Sequence, residues 1–173
     1  MNGRALEASD NPHRLREGTA GEQTMLRVND EPTREGARVV TVVPTASEAG
    51  LRTRAWVEAN RRTVDSLSNG RLAYVWLPNT ATPGYEYFNR YFYAQQDKEG
   101  VIVDERYNQG GMVADYIVDE LGRERMGYFA RRDGRPSTSP LAGIYGPKVM
   151  IINEMAGSGG DALPYYFRLR DLG

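Results

Sequence analysis

Residues 100–121 run Gly100-Val101-Ile102-Val103-Asp104-Glu105-Arg106-Tyr107-Asn108-Gln109-Gly110-Gly111-Met112-Val113-Ala114-Asp115-Tyr116-Ile117-Val118-Asp119-Glu120-Leu121. The apolar run predicts a strand over Gly100–Asp104, followed by a polar loop, Glu105–Gly111. Met112–Leu121 then places Val113, Tyr116, Ile117 and Leu121 on one helical face. Upstream, Arg71–Leu77 is a second short apolar strand ended by Pro78, and the aromatic-rich Tyr85–Gln96 predicts a helix. Downstream, Lys148–Asn153 is a third strand, and a glycine-rich turn leads into a helix over Ala162–Arg170. Apolar strands separated by helices need crossover connections, hence a mainly parallel sheet covered on both faces. The fold class is α/β. Gly122–Pro147, rich in Gly, Pro, Ser and Arg, is expected to be a long connection.

Toward the N-terminus the texture changes. Residues 1–46 are polar and turn-rich, with two β-like runs, Thr24–Val28 and Arg38–Val43, joined through Asn29-Asp30-Glu31-Pro32 and Glu35-Gly36. Asn11 and Pro12 open a short polar helical segment ending near Gly18. This is too little apolar material for an independent core. Ser47 to Ser66 has helical periodicity through Leu51, Ala55, Trp56 and Ala59, with Arg52, Arg54, Glu58, Arg61 and Arg62 around it. The arginines are expected to form a solvated face beside Glu neighbours rather than an anion site. The Tyr85–Tyr93 stripe is expected to pack against the sheet rather than to stack bases.

Composition narrows the chemistry. The chain has 173 residues, with 22 Lys and Arg against 23 Asp and Glu, a formal charge of −1. Such balance gives no electrostatic footprint for nucleic acid or an anionic membrane. No stretch approaches the roughly 18 apolar residues of a membrane span. A compact chain of this mass would expose roughly 8,500 Å². With no cysteine there is no disulfide, no Cys-ligated metal and no thiol nucleophile. The one histidine, His13, excludes a histidine-pair metal site within one chain.

Ligands of open α/β sheets bind beyond the carboxyl ends of the strands. Two turns there stand out, Asp104–Gly111 and Asn153-Glu154-Met155-Ala156-Gly157-Ser158-Gly159-Gly160-Asp161. Ser158 lies between glycines at the start of a helix, where free N–H groups could stabilise an oxyanion beside an exposed hydroxyl. Ala156 departs from the first glycine of G-x-S-x-G. Gly157–Ala162 also satisfies G-x-G-x-x-A, a dinucleotide-binding spacing. The plain alternative is a helix start capped by Asp161, with Pro164 in its first turn. These three readings stay open on the residues alone. Gly110 and Gly111 offer a second set of bare amides, which parallel strands could set beside Ser158. Asp104 and Arg106 are expected to pair, and Asn108 to cap or turn the loop.

The two loops in tandem, Val103–Asn108 with Gly110-Gly111 and Asn153–Asp161, resemble the protease core of the tricorn proteases, relatives of the carboxyl-terminal processing peptidases. Trp56-Val57-Glu58, Asn60-Arg61 and Val64-Asp65 resemble the helix entering that core. Asn2-Gly3-Arg4 through Gly18-Thr19-Ala20-Gly21 and Leu26-Arg27-Val28 resemble the last part of the family's PDZ domain. The resemblance implies a C-terminal PDZ-like part over 1–46, a connecting helix over 47–67 and the first part of a crotonase-like serine peptidase core over 68–173. It implies Ser158 as nucleophile, the backbone N–H groups of Gly111 and Gly159 as oxyanion hole, and loop support from Asp104, Arg106, Asn108, Gly110, Gly157, Gly160 and Asp161. Gln109 stands where the family often has glycine, and Gly159 where some members carry aspartate; the oxyanion role needs only the backbone N–H.

By the same resemblance the general-base histidine precedes the PDZ domain and a required glutamate follows the serine, both outside residues 1–173, while His13 matches the PDZ region. The chain is therefore expected to be a fragment, inactive alone, prone to association through an unpaired sheet edge, and drawn from a cytoplasmic parent, a periplasmic one being left open. The parent would hydrolyse unfolded polypeptides or oligopeptides as a ring-like homo-oligomer, with no metal or organic cofactor. The other expectations are a catalytically dead peptide-binding scaffold and a dinucleotide-binding enzyme using Gly157–Ala162.

Overall fold

A computed structural model describes residues 1–173, which divide into two units, residues 1–54 and residues 55–173. In the first unit the segment after Asn11-Pro12 forms a single 3-10 turn, Arg14–Arg16, in place of a longer helix. Leu15 is the turn's one apolar residue, so there is no face to bury, and so short a helix has no other source of stability. Strands β1 (Thr24–Val28) and β2 (Arg38–Val42) pair antiparallel, Thr24 opposite Val42 and Val28 opposite Arg38. The Asn29 carboxamide donates to the carbonyls of Thr33 and Glu35, each at 2.9 Å, and closes the connection between them. Thr24 is the one buried residue of this unit.

Helix α1 (Ala49–Leu67) starts where Ser47 Oγ accepts from the Ala49 N–H at 3.2 Å. Two of its arginines find glutamates, Arg52 pairing with Glu48 just before the helix at 2.6 Å and Arg61 with Glu58 on it at 3.1 Å. The second unit continues with β3 (Leu72–Trp76), α2 (Thr82–Tyr93), β4 (Gly100–Asp104), α3 (Ala114–Leu121), β5 (Gly127–Phe129), β6 (Ser137–Ser139), β7 (Lys148–Ile151) and α4 (Gly159–Leu169). β3, β4 and β7 form a parallel sheet in that order. Trp76, Asp104 and Ile151 are neighbours across it, so the loops leaving all three strands start along one line.

Alternation along the strands sends side chains to opposite faces. Ala73, Val75, Val101 and Val103 pack with Phe88 and Phe92 of α2, Ile117 and Leu121 of α3, and Leu163 and Phe167 of α4. Phe88 and Phe92 stack at 4.8 Å between centroids, so the inner part of the aromatic stripe is core. On the other face Tyr74 and Trp76 pack with Val57, Trp56 and Val64 of α1. Burial of both faces explains why β3 and β4 are continuous apolar runs.

Several boundaries differ from expectation. α2 begins a turn early because Asn79 Oδ1 accepts from the N–H groups of Ala81 and Gly84, at 3.0 and 2.8 Å, and caps it. It ends before Gln95, whose side chain bonds the Tyr74 backbone in both directions and occupies the open side of β3. The long connection holds a hairpin, β5 with β6, whose three-residue strands Gly-Tyr-Phe and Ser-Thr-Ser have no apolar alternation to announce them. α4 starts directly after Ser158, so Asp161 lies in its first turn and is not the cap, and Pro164 lies deeper inside the helix, where it removes one backbone bond.

Residues 1–54 bury no apolar side chain, and Val149 of β7 and Tyr165 and Leu169 of α4 are more than half exposed. No helix is long and apolar enough to cross a membrane.

Candidate active site

The sheet's carboxyl end is laced together by backbone bonds. Leu77 N–H donates to the Asp104 carbonyl at 2.8 Å and Glu105 N–H to the Ile151 carbonyl at 2.9 Å, tying the exit of β4 to both neighbours. The loop 105–113 then runs along the β3–α2 connection: Gln109 N–H donates to Pro78, Thr80 N–H to Gly110 and Val113 N–H to Thr80, at 3.1, 2.9 and 2.8 Å. Tyr107, Gly110 and Gly111 take positive φ, at 66°, 82° and 141°. For Gly111 the glycine is a requirement of space as well, because a β-carbon would lie 2.1 Å from the Thr80 carbonyl oxygen.

Asp104 is fully buried and anchors the start of this loop. It accepts from the Arg106 guanidinium at 2.9 and 2.5 Å, from the Arg106 N–H at 3.1 Å and from the Tyr74 hydroxyl at 2.7 Å. Arg106 also lies over the Trp56 ring, 5.0 Å from its centroid. Hydrogen bonding to Asp104 raises the arginine's pKa further, and burial followed by the Asp104 bond raises that of Tyr74. Arg106 is thereby held as a permanent cation on a fixed carboxylate.

The second loop meets the first. Tyr107 N–H donates to Asn153 Oδ1 at 2.9 Å, and Gly157 N–H donates to the Asn108 carbonyl at 3.1 Å. A β-carbon on Gly110 would lie 2.8 Å from Ser158 Cβ and 3.1 Å from the Gly159 nitrogen, and one on Gly159 would lie 2.8 Å from the Gly111 nitrogen. Ser158, Gly159, Gly110 and Gly111 are therefore in direct contact. Ser158 is exposed and sits at φ 58°, ψ −118°, a strained conformation for a residue with a side chain. The turn leaves Ser158 exposed at the N-terminus of α4.

The amides of Gly111 and Gly159 donate to no acceptor within the chain, while those on either side, Gly110 and Gly160, are taken by Asn108 Oδ1 and the Gly157 carbonyl. Two unengaged N–H groups from different loops, one at a helix N-terminus, thus lie beside the exposed Ser158. Gly160 packs on Asn108, where a β-carbon on the glycine would lie 3.1 Å from that of the asparagine, and Asp161 follows in the first turn of α4. His13 lies exposed in the first unit, just before the 3-10 turn.

Two further residues of the site escaped the sequence. Thr80 is fully buried with an unpartnered hydroxyl, 2.3 Å from where a Gly159 β-carbon would be. Glu105 is fully buried with one unpartnered carboxylate oxygen. Neither sits in a recognisable spacing, and the only hint was a charged residue directly after an apolar strand. No group of acidic or histidine side chains is arranged to hold a metal ion.

No protein-family model matches the chain. Among curated proteins it is 39% identical over 123 residues to the tricorn protease of Thermoplasma volcanium, covering 71% of this chain and 12% of that protein. It is 36% identical over 159 residues to tricorn protease homolog 1 of Streptomyces coelicolor, covering 92% and 15%. Against the tricorn protease of Thermoplasma acidophilum it is 32% identical over its whole length, which is 16% of that protein. A crystal structure of the tricorn protease superposes with a TM-score of 0.87 at 32% identity, over 99% of this chain and 17% of that one. The chain thus spans about a sixth or less of the length of these relatives. By sequence and fold together, it belongs to the tricorn protease family.

Proposed function

We propose that the chain carries the nucleophile and oxyanion hole of a serine peptidase. The observation that carries this reading is the meeting of an exposed, strained Ser158 with the unengaged amides of Gly111 and Gly159. In the reaction, Ser158 Oγ attacks the scissile carbonyl carbon and passes its proton to a histidine. The carbonyl oxygen becomes an anion held by the N–H groups of Gly111 and Gly159. Collapse of that intermediate sends the proton to the leaving amine and leaves an acyl-serine that water hydrolyses.

The histidine, and the glutamate that accompanies it, are assigned outside residues 1–173, and His13 is given no part in the chemistry. Without its base a serine peptidase loses about 10⁶ in turnover, so residues 1–173 alone are expected to be inactive. Substrates are assigned as unfolded polypeptides or oligopeptides, the parent as a cytoplasmic homo-oligomer. Residues 1–46 are read as the end of a PDZ-like domain and residues 68–173 as part of a crotonase-like core.

A fluorophosphonate probe tests the assignment in the full-length protein. Covalent labelling should be present in the wild type and absent in Ser158→Ala; labelling that persists in the variant removes Ser158 as nucleophile.

A further inference from the structure

Glu105 is the first residue beyond β4, and no part of its side chain reaches solvent. Its main chain is committed in both directions, donating to Ile151 and accepting from the Asn108 N–H at 3.0 Å. Its Oε2 accepts from Asn108 Nδ2 at 3.4 Å, and Oε1 has no partner. Asn108, equally buried, spends its other polar groups on the two glycine loops. Its Oδ1 accepts from Gly110 N–H at 2.9 Å and its main-chain carbonyl from Gly157 N–H at 3.1 Å.

A carboxamide is an acceptor at one end and a donor at the other, so a half-turn of the Asn108 side chain would set its NH₂ against the Gly110 N–H and orphan both. An acceptor oxygen at the Nδ2 end selects the productive orientation. Glu105 supplies that oxygen. We propose that Glu105 is a positioning residue of this site, holding the Asn108 carboxamide in the one orientation that fastens Gly110 beside Gly157 and so sets the spacing of Ser158, Gly111 and Gly159. Its consequence for catalysis rests on the serine peptidase reading.

Burial disfavours the charged form of this carboxyl. The charged groups facing Glu105 are Asp161 on α4 and Asp104 at the end of β4, and the Asp104 charge is already engaged by Arg106. Burial, then Asp161, push the Glu105 carboxyl up to about 8, against the opposing bond from Asn108. Above that pH a buried anion with an unpartnered oxygen must draw in water, and the two loops loosen.

The test follows the rate of Ser158 labelling by a fluorophosphonate in the full-length protein across the range around pH 8. Glu105→Leu removes the acceptor but not the bulk and should slow labelling by about tenfold to a hundredfold, the size of effect a misplaced site gives. Glu105→Gln, which keeps an acceptor and cannot ionise, should restore labelling and abolish the alkaline decline of the wild type. Wild-type labelling by the leucine variant, or an unchanged alkaline decline in the glutamine variant, overturns the proposal. Amide hydrogen exchange at Gly110 and Gly157 gives a readout independent of chemistry and should be about tenfold faster in Glu105→Leu. Were Ser158→Ala still labelled, the peptidase reading would fall, and unchanged exchange at these two amides would separately sink the positioning role.

Discussion

Gly159 approaches Gly111 so closely that a β-carbon on the former would lie 2.2 Å from the carbonyl oxygen of the latter, and 2.3 Å from the Thr80 hydroxyl. Backbone and a fully buried side chain have little freedom to retreat. Gly157, two residues earlier, has nothing within 4 Å of the same construction. Position 159 is tightly enclosed by the other loop, whereas a β-carbon at position 157 would meet open space.

Gly159→Ala should therefore part the loops, lowering stability by about 1–3 kcal/mol through overpacking and slowing fluorophosphonate labelling of Ser158 in the full-length protein. Gly157→Ala should stay within about 0.5 kcal/mol of wild type. Urea unfolding of the two variants in parallel checks this; coincident midpoints would contradict the packing described.

Ser158 stores strain at φ 58°. Ser158→Gly should relieve it and raise stability by about 1 kcal/mol, while Ser158→Ala, which keeps a β-carbon, should leave stability within about 0.5 kcal/mol. Both remove the hydroxyl. A glycine variant no more stable than the alanine variant in denaturant titration would argue against strain at this turn.

Asp104 is the fixed point of the first loop. Arg106→Ala leaves its buried carboxylate with no cation, held only by the Tyr74 hydroxyl and the backbone N–H of residue 106, and should cost about 3 kcal/mol. Arg106→Lys keeps the charge but loses the two-pronged contact and the Trp56 stacking, and should fall in between. Thermal and urea unfolding rank the three proteins.

The Glu105 carboxyl ionises near its usual 4.5 in the unfolded chain and near 8 when folded. Between those values the unfolded state sheds a proton that the folded state keeps. Its contribution is complete below about 4.5, declines as pH rises toward 8 and levels off above. Glu105→Gln lacks this decline, so its urea midpoint should gain on wild type as pH rises through that window. A constant gap across it would mean that Glu105 is already ionised in the fold.

Much of the architecture was legible in local pattern. Strands over residues 24–28 and 100–104 coincide with β1 and β4, and the alternation of apolar runs with helices led to the parallel sheet. The hairpin β5–β6 stayed hidden because Ser137, Thr138 and Ser139 make no apolar pattern, and α4 began early because the sharp turn at Ser158 runs straight into helical geometry. Within the site, the glycines and Ser158 stood out by spacing. Thr80 and Glu105 did not, since nothing in their neighbours along the chain distinguishes them from solvent-facing polar residues.

Local chain chemistry dictated where the backbone could turn sharply, where it must run as a buried strand, and which hydroxyl and amides would lie at the mouth of a helix. Tertiary structure alone decided that Gly111 and Gly159 touch, that Tyr74 reaches Asp104, and that Glu105 is sealed away from water with one oxygen unpartnered. The reason is physical: desolvation and close approach arise between segments tens of residues apart, once β3, β4 and β7 lie in register, and no stretch of neighbouring residues encodes them.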